Sequence, residues 1–424
     1  MTETKEERER ALVVGVNLNQ DPYFEASIEE LKSLALACDI DPVGEVIQNL
    51  QRPNHGLYVG TGKLAEIRDL VDQEEIDVVI FEDELTPSQI RNLSKHLDVE
   101  VLDRTRLILD IFANRARTKE AKMQVEIARL RYALPRIRNT NQNFSRQRGG
   151  TGTRNRGSGE TQLELDRRKI EIKISALEKE LKEIALQRGI RRQKRAKSGV
   201  PIVALVGYTN AGKSTLMNNM VTRFQQVEDK LVFEKDMLFA TLDTSVRNIE
   251  LENGKSILLS DTVGFINKLP HHLIKAFRST LEEVVEADLL LHVIDVSNPN
   301  YQKQIDVTNE TLKEIGADHV EPVYVYNKID LAEDARSFEG ESILKLSAKK
   351  DLGFEALIDL LKVKLFSDYE RCQLLIPYDQ GSEIAYLKER ATILGISYEG
   401  TGTLLDVELQ KADREKYQDF VHQT

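Results

Sequence analysis

Residues 201–220, PIVALVGYTNAGKSTLMNNM, decide the fold of the region around them. An apolar run of strand length, Ile202 to Val206, leads into Gly207-Tyr208-Thr209-Asn210-Ala211-Gly212-Lys213-Ser214, and Thr215 continues into a stretch of helical character. The spacing G-x-x-x-x-G-K-[ST] between a strand and a helix is that of a phosphate-binding loop. Its amides and the helix N-terminus can enclose β- and γ-phosphate oxygens, Lys213 neutralises them, and the Ser214 hydroxyl ligates Mg²⁺.

A phosphate cradle does not choose the base. That choice is expected from Asn327-Lys328-Ile329-Asp330, which follows the strand-like VYVY. An Asp330 carboxylate can accept from both N1–H and the 2-amino group of guanine, which adenine does not offer, and a site built to pair such groups rejects an analogue lacking them. Ser347-Ala348-Lys349, after the next strand, fits a loop whose backbone meets the guanine O6. Asp261-Thr262-Val263-Gly264 closes another strand and matches DxxG: Asp261 would hold Mg²⁺ through a water, and the Gly264 amide would sense the γ-phosphate. Upstream, Phe239-Ala240-Thr241-Leu242-Asp243 places Thr241 where a switch threonine could coordinate Mg²⁺, with Thr244 as its rival. The expected activity is GTP hydrolysis, with Lys213, Thr241 and Gly264 as catalytic groups and both switch loops ordered by the γ-phosphate.

One departure bears on mechanism. Many GTPases place a glutamine after DxxG to orient the attacking water; here that residue is Phe265. Either Phe265 simply packs and hydrolysis is weak alone, or an incoming partner or a bound cation completes the site. Asn210 resembles the asparagine that helps hold K⁺ in potassium-activated GTPases, which makes it a candidate potassium ligand.

The rest of the chain is read from charge and period. With 41% apolar and 30% charged residues it has the composition of a folded protein, and at 424 residues it exceeds one ordinary core. The charged start MTETKEERER and the lack of any long apolar run predict neither a signal peptide nor a membrane span. Two distant cysteines, Cys38 and Cys372, give no disulfide framework or zinc spacing and predict inert thiols in a reducing cytoplasm. The net charge of −11 conceals an asymmetry: residues 111–200 hold 24 Lys and Arg against 9 Asp and Glu, a local +15 that leaves −26 on the remainder. Because charges beyond about 8 Å are screened at physiological salt, a polyanion would meet the local positive charge.

Four domains are expected. Residues 1–103 alternate short apolar runs with helical patterns, as in a small α/β domain with a largely parallel sheet. Residues 104–199 carry two apolar stripes of helical spacing, Met123, Ile127, Leu130, Leu134 and then Ile170, Ile174, Leu177, Leu181, Ile184. They predict a long antiparallel helical hairpin with arms of roughly 25–30 residues, projecting on the order of 40 Å. Between the arms, 139–160 is Gly-rich and carries Arg146, Arg148, Arg154 and Arg156, and the wider span 131–156 holds seven Arg with no Lys and no acid, a composition suited to RNA phosphates and bases. A disordered connector is the competing reading. Residues 200–366 form the Ras-like GTPase domain with a parallel sheet, and 367–424 a small α+β domain reading β-α-β-β-α.

Taken together, LYVGTGKLAEI, GGTGTRNRGSGETQLELDRR, GYTNAGKST, LFATLD, DTVGFI and NKID resemble the HflX family of ribosome-associated GTPases, and the resemblance spans essentially the whole chain. It implies binding to the large (50S) ribosomal subunit and its rRNA through the hairpin loop, stimulation by the ribosome, and splitting of stalled or idle ribosomes under stress; a monomer is expected. It departs from the family pattern where Thr244-Ser245-Val246-Arg247 follows Asp243. ATP use through the first domain has been suggested for family members, so Gly60-Thr61-Gly62-Lys63 needs weighing; a phosphate-binding loop ending there would need Gly at 57 and Ser or Thr at 64, and the chain has Leu57 and Leu64. A turn that starts a helix is the preferred reading. An ATP-driven rRNA remodeller, a ribosome-assembly factor, and an RNA-binding scaffold with structural GTP stay open as alternatives.

Overall fold

The computed structural model describes residues 8–137, 156–196, 200–225, 238–239, 244–251, 255–270, 273, 281–332 and 343–422, without the side chains of 156–163, 190–196, 225, 389–390 and 412. Two compact units result: Met1–Ala185 with Asp236–Asp243 and Ile266–Ser279, and Leu186–Lys235 with Thr244–Phe265 and Thr280–Thr424.

In the first unit, β1 (Arg10–Leu18), β2 (Asp41–Leu50), β3 (Val78–Phe81) and β4 (Glu100–Asp103) form a parallel sheet in the order β2-β1-β3-β4. Val78–Phe81 is buried throughout, as parallel strands covered on both faces must be. Between the strands run α1 (Phe24–Ala37), α2 (Thr61–Gln73) and α3 (Pro87–Leu97). Thr86 starts α3 with a capping box to Gln89 and a proline in the first turn. Asp103 caps the next helix, α4 (Arg104–Arg115), by accepting from the Arg106 amide at 2.8 Å.

The hairpin arms are unequal. The first, α5 (Lys119–Ala133), has 15 residues and the second, α6 (Arg156–Ala196), has 41. The first is shorter than expected because Thr118 caps a fresh helix after the break at Ala116, while Pro135 sits in a terminal 3₁₀ turn, Leu134–Arg136. Arg156 already lies in α6, so the helix begins inside the segment read as a loop. Met123 and Ile127 of α5 and Ile174 of α6 are buried, and the pairs Lys119–Glu180 and Glu126–Lys173 run antiparallel.

In the second unit, β5 (Ile202–Val206), β6 (Ser245–Glu250), β7 (Ser256–Asp261), β8 (Leu289–Asp295), β9 (Pro322–Asn327) and β10 (Ile343–Lys345) form a sheet in the order β10-β9-β8-β5-β7-β6. All neighbours are parallel except β6 and β7. Among the described residues the helices of this sheet are α7 (Lys213–Gln225), the single turn α8 (Glu282–Val285), α9 (Tyr301–Ile315) and α10 (Phe354–Phe366). The tail is β11 (Tyr369–Pro377), α11 (Gly381–Arg390), β12 (Thr392–Glu399), β13 (Gly402–Gln410) and α12 (Lys411–Lys416), the expected β-α-β-β-α order around an antiparallel sheet. Among the described residues no helix is long and apolar enough to cross a membrane. Cys38 and Cys372 are free thiols, and burial pushes Cys38 up to about 12.

Candidate guanine-nucleotide site

β5 lies between β7 and β8, at the point where the strand order reverses, and the loop Gly207–Gly212 leaves its C-terminal end there. In open α/β sheets this is where ligands bind. Lys213, the first residue of α7, is buried and donates to the Gly207 carbonyl at 2.9 Å and the Tyr208 carbonyl at 2.8 Å. An ammonium has three N–H groups, so one more can meet a phosphate oxygen. Burial pushes this ammonium down to about 8, against the pull of Asp261. A bound phosphate favours the charged form.

The Ser214 hydroxyl donates to Asp261 Oδ2 at 2.7 Å. Asp261 ends β7 and is fully buried. A hydroxyl and a carboxylate side by side beside a phosphate loop are hard oxygen donors of the kind Mg²⁺ takes alongside substrate phosphates. Thr262 is held by its bond to the Leu205 carbonyl at 2.7 Å. Phe265 is buried, and its backbone is zipped to the phosphate loop: the Thr209 amide donates to its carbonyl at 2.8 Å and its own amide donates to Gly207 at 3.1 Å. Those bonds draw Gly264 so close that a Cβ there would sit 2.8 Å from Thr209 Cα and 3.1 Å from Lys213 Nζ. Only glycine permits that approach.

Asn327 ties the base loops to the phosphate loop. Buried at the end of β9, it donates from Nδ2 to the Ala211 carbonyl at 2.8 Å and accepts from the Ala348 amide at Oδ1, 2.9 Å. One side chain therefore fixes Gly207–Ser214, Asn327–Asp330 and Ser347–Lys349 to each other. Lys328, in a left-handed conformation, donates to Asp295 Oδ2 at 2.7 Å, and Asp330 is exposed. Asn210 is also left-handed, with φ of 60°, and exposed.

The expected residues do not all fall in this cluster. Phe239 belongs to the other unit, where its ring packs edge-on against Phe112 with centroids 4.7 Å apart; its side chain is thus a core contact. Ala240, Thr241, Leu242, Asp243, Arg146, Arg148 and Arg154 lie outside the described residues, as does the side chain of Arg156. In the first unit Gly60 is the N-cap of α2; its amide donates to Gln48 Oε1 at 2.9 Å and Lys63 pairs with Glu66. That is the helix-starting turn expected, not a phosphate cradle.

His292 gave no signal, since DLLLHVIDV reads simply as a strand. It sits in β8, buried, with Nδ1 making no hydrogen bond and the ring 5.4 Å from Tyr324. Burial, with the positive charge of Lys213, pushes it down to about 3. The unfolded chain takes up a proton near pH 6.5 while the folded one does not, so stability falls as pH drops from about 6.5 toward 3, by about 1.4 kcal/mol per pH unit from this group. His292→Leu should flatten that slope. Urea titrations of both proteins between pH 7 and 5 measure it, and parallel slopes would show that His292 does not titrate in this way.

A strand, phosphate loop and helix, a buried aspartate ending the adjacent strand, and an NKxD loop tied to them by one asparagine define a P-loop GTPase domain. Three family models match in order: the GTP-binding GTPase N-terminal region over 25–113, the GTP-binding GTPase middle region over 115–195, and the 50S ribosome-binding GTPase over 202–328. The GTPase HflX of Caldanaerobacter subterraneus subsp. tengcongensis is 43% identical over 421 residues, 99% of this chain and 96% of that one. The GTPase HflX of Escherichia coli K12 is 39% identical over 379 residues, 88% and 87% of the two chains. The chain belongs to the HflX family of GTPases. A crystal structure of a GTP-binding protein from Sulfolobus solfataricus in complex with GDP aligns at 26% identity and a TM-score of 0.43, over 85% of this chain and 99% of that one.

Proposed function

We propose that this chain binds GTP with Mg²⁺, hydrolyses it to GDP and phosphate, and uses the cycle on the large ribosomal subunit. The bonds of Asn327 carry the nucleotide part, because they assemble the phosphate loop and both base loops into one site. Lys213 and the loop amides of Gly207–Thr215 hold the phosphates. Ser214 and, through a water, Asp261 hold the metal together with Thr241. Mg²⁺ would neutralise charge on the phosphate oxygens during transfer. The Gly264 amide reads the γ-phosphate, Asp330 reads the guanine N1–H and 2-amino groups, and the Ser347–Lys349 backbone meets O6.

The buried ring of Phe265 offers no group to orient a water. A partner or a cation held by Asn210 supplies that function, and K⁺ should then raise turnover over Na⁺ at equal ionic strength. The family match to 50S ribosome-binding GTPases, with the +15 balance of residues 111–200, supports ribosomal RNA as the partner reached by the 139–160 loop. Splitting of stalled or idle ribosomes by a cytoplasmic monomer follows as the working role.

The test is GTP and ATP turnover, side by side, with and without purified 50S and 70S particles, using Lys213→Ala as the blank. GTP-selective hydrolysis raised by ribosomes is the expected result. No stimulation, or ATP turnover that survives Lys213→Ala, would replace this reading with a scaffold or an ATP-driven remodeller.

A further inference from the structure

The amide of Thr209 is spent on the Phe265 carbonyl, to which it donates at 2.8 Å. The only other donor this residue has is its hydroxyl. Thr209 is just 7% exposed, and among the described residues its Oγ1 is buried without a hydrogen-bond partner. A buried hydroxyl left in that state is unfavourable, and a valine of the same shape would avoid the cost. Buried groups of this kind call for a specific use.

The surroundings of the side chain indicate that use. A Cβ at Gly264 would lie 2.8 Å from Thr209 Cγ2 and 3.1 Å from Lys213 Nζ, so Thr209 stands beside both the glycine read as the γ-phosphate contact and the lysine that neutralises phosphate. All three residues belong to one compact unit, and bonds within it hold them in place: Lys213 to the Gly207 and Tyr208 carbonyls, and Phe265, next to Gly264, to Gly207 and Thr209. Ser260 Oγ and His292 Nδ1 are likewise buried without a partner among the described residues, but both lie within strands, β7 and β8. Thr209 stands in the loop that receives phosphate.

We propose that the Thr209 hydroxyl is a specificity-determining group for the nucleoside triphosphate: it donates to a γ-phosphate oxygen, next to the Gly264 amide and Lys213. A hydrogen bond from a hydroxyl to a charged oxygen is among the stronger ones. A diphosphate offers no acceptor at that place, so it leaves the hydroxyl buried and unpaired. The loop then tells the two nucleotides apart with a side chain as well as with its amides. This rests on the reading of Gly264 as the γ-phosphate contact.

Dissociation constants for GDP and for the β,γ-imido analogue of GTP, measured by calorimetry on the full chain, test it. Thr209→Val keeps the shape and removes the hydroxyl; it should lower the preference for the analogue over GDP by roughly tenfold or more, the scale of one hydrogen bond to a charged group. Thr209→Ser, which keeps the hydroxyl, should retain most of the preference. Equal weakening of GDP and the analogue by Thr209→Val would mean that the hydroxyl serves the loop as a whole, and would overturn the assignment. Loss of preference in the serine variant as well would place the effect in the methyl packed on Gly264, and overturn it too. Gly264→Ala separates this inference from the reading beneath it. If Gly264→Ala lowers the preference and Thr209→Val does not, the hydroxyl is refuted and the γ-phosphate contact stands; if neither lowers it, the γ-phosphate is not read at this site and both fall.

Discussion

Asp330→Asn should cost GTP roughly three to four orders of magnitude in affinity and create a site for XTP in its place, because a pocket built to pair polar groups discriminates on that scale. A carboxylate accepts from two donors, guanine N1–H and the 2-amino group. An asparagine amide presents one acceptor and one donor, which instead matches the N1–H and 2-carbonyl of xanthine. The loop itself should survive the change: Asn327 is held by Ala211 and Ala348, Lys328 by Asp295, and Asp330 is exposed. Competition between GTP, XTP and ATP for the same site is the measurement. Undiminished GTP binding by the variant would mean that the base is read elsewhere.

Gly212→Ala is expected to weaken GDP and GTP together, by roughly two orders of magnitude or more, through the lost pairing of buried groups. Gly212 has φ of 95°, and a Cβ there would lie 2.2 Å from Asn327 Nδ2. The left-handed conformation alone costs about 1–2 kcal/mol in a residue with a Cβ. Displacement of Asn327 then leaves the Ala211 carbonyl and the Ala348 amide without their partner, at about 1–3 kcal/mol for each buried group. Phosphate and base loops would come apart at once. A double-mutant cycle with Asn327→Ala separates this from simple strain: if Gly212 acts through Asn327, the second change adds little to the first. Additive losses, or unchanged GDP affinity in Gly212→Ala, would refute the coupling.

Much of this architecture was legible from local pattern. The apolar run Ile202–Val206 became the central strand β5, the described residues of the C-terminal stretch folded in the order read from its alternating runs, and Gly60 caps a helix, in keeping with Leu57 and Leu64 standing where a phosphate loop needs Gly and Ser or Thr. These features depend on residues a few positions apart, so their spacing carries them. The arm lengths of the hairpin were not legible in the same way. The stripe from Met123 to Leu134 does not show that its helix starts only at Lys119, where Thr118 caps it after the break at Ala116; a stripe reports which face is buried, and backbone chemistry sets where the helix starts and stops.

By itself, the sequence determined which groups exist at which spacing: a G-x-x-x-x-G-K-S loop, an NKxD motif and no glutamine after DxxG. Only the tertiary structure decided which groups act on each other. Asn327 and Ala211 are 116 residues apart, and Lys268 and Glu82 are 186 apart, yet each pair shares a hydrogen bond of 2.8 Å or less. Nothing in either local pattern marks the partner, because a hydrogen bond depends on distance and direction in space, and these are set by the stacking of strands and helices.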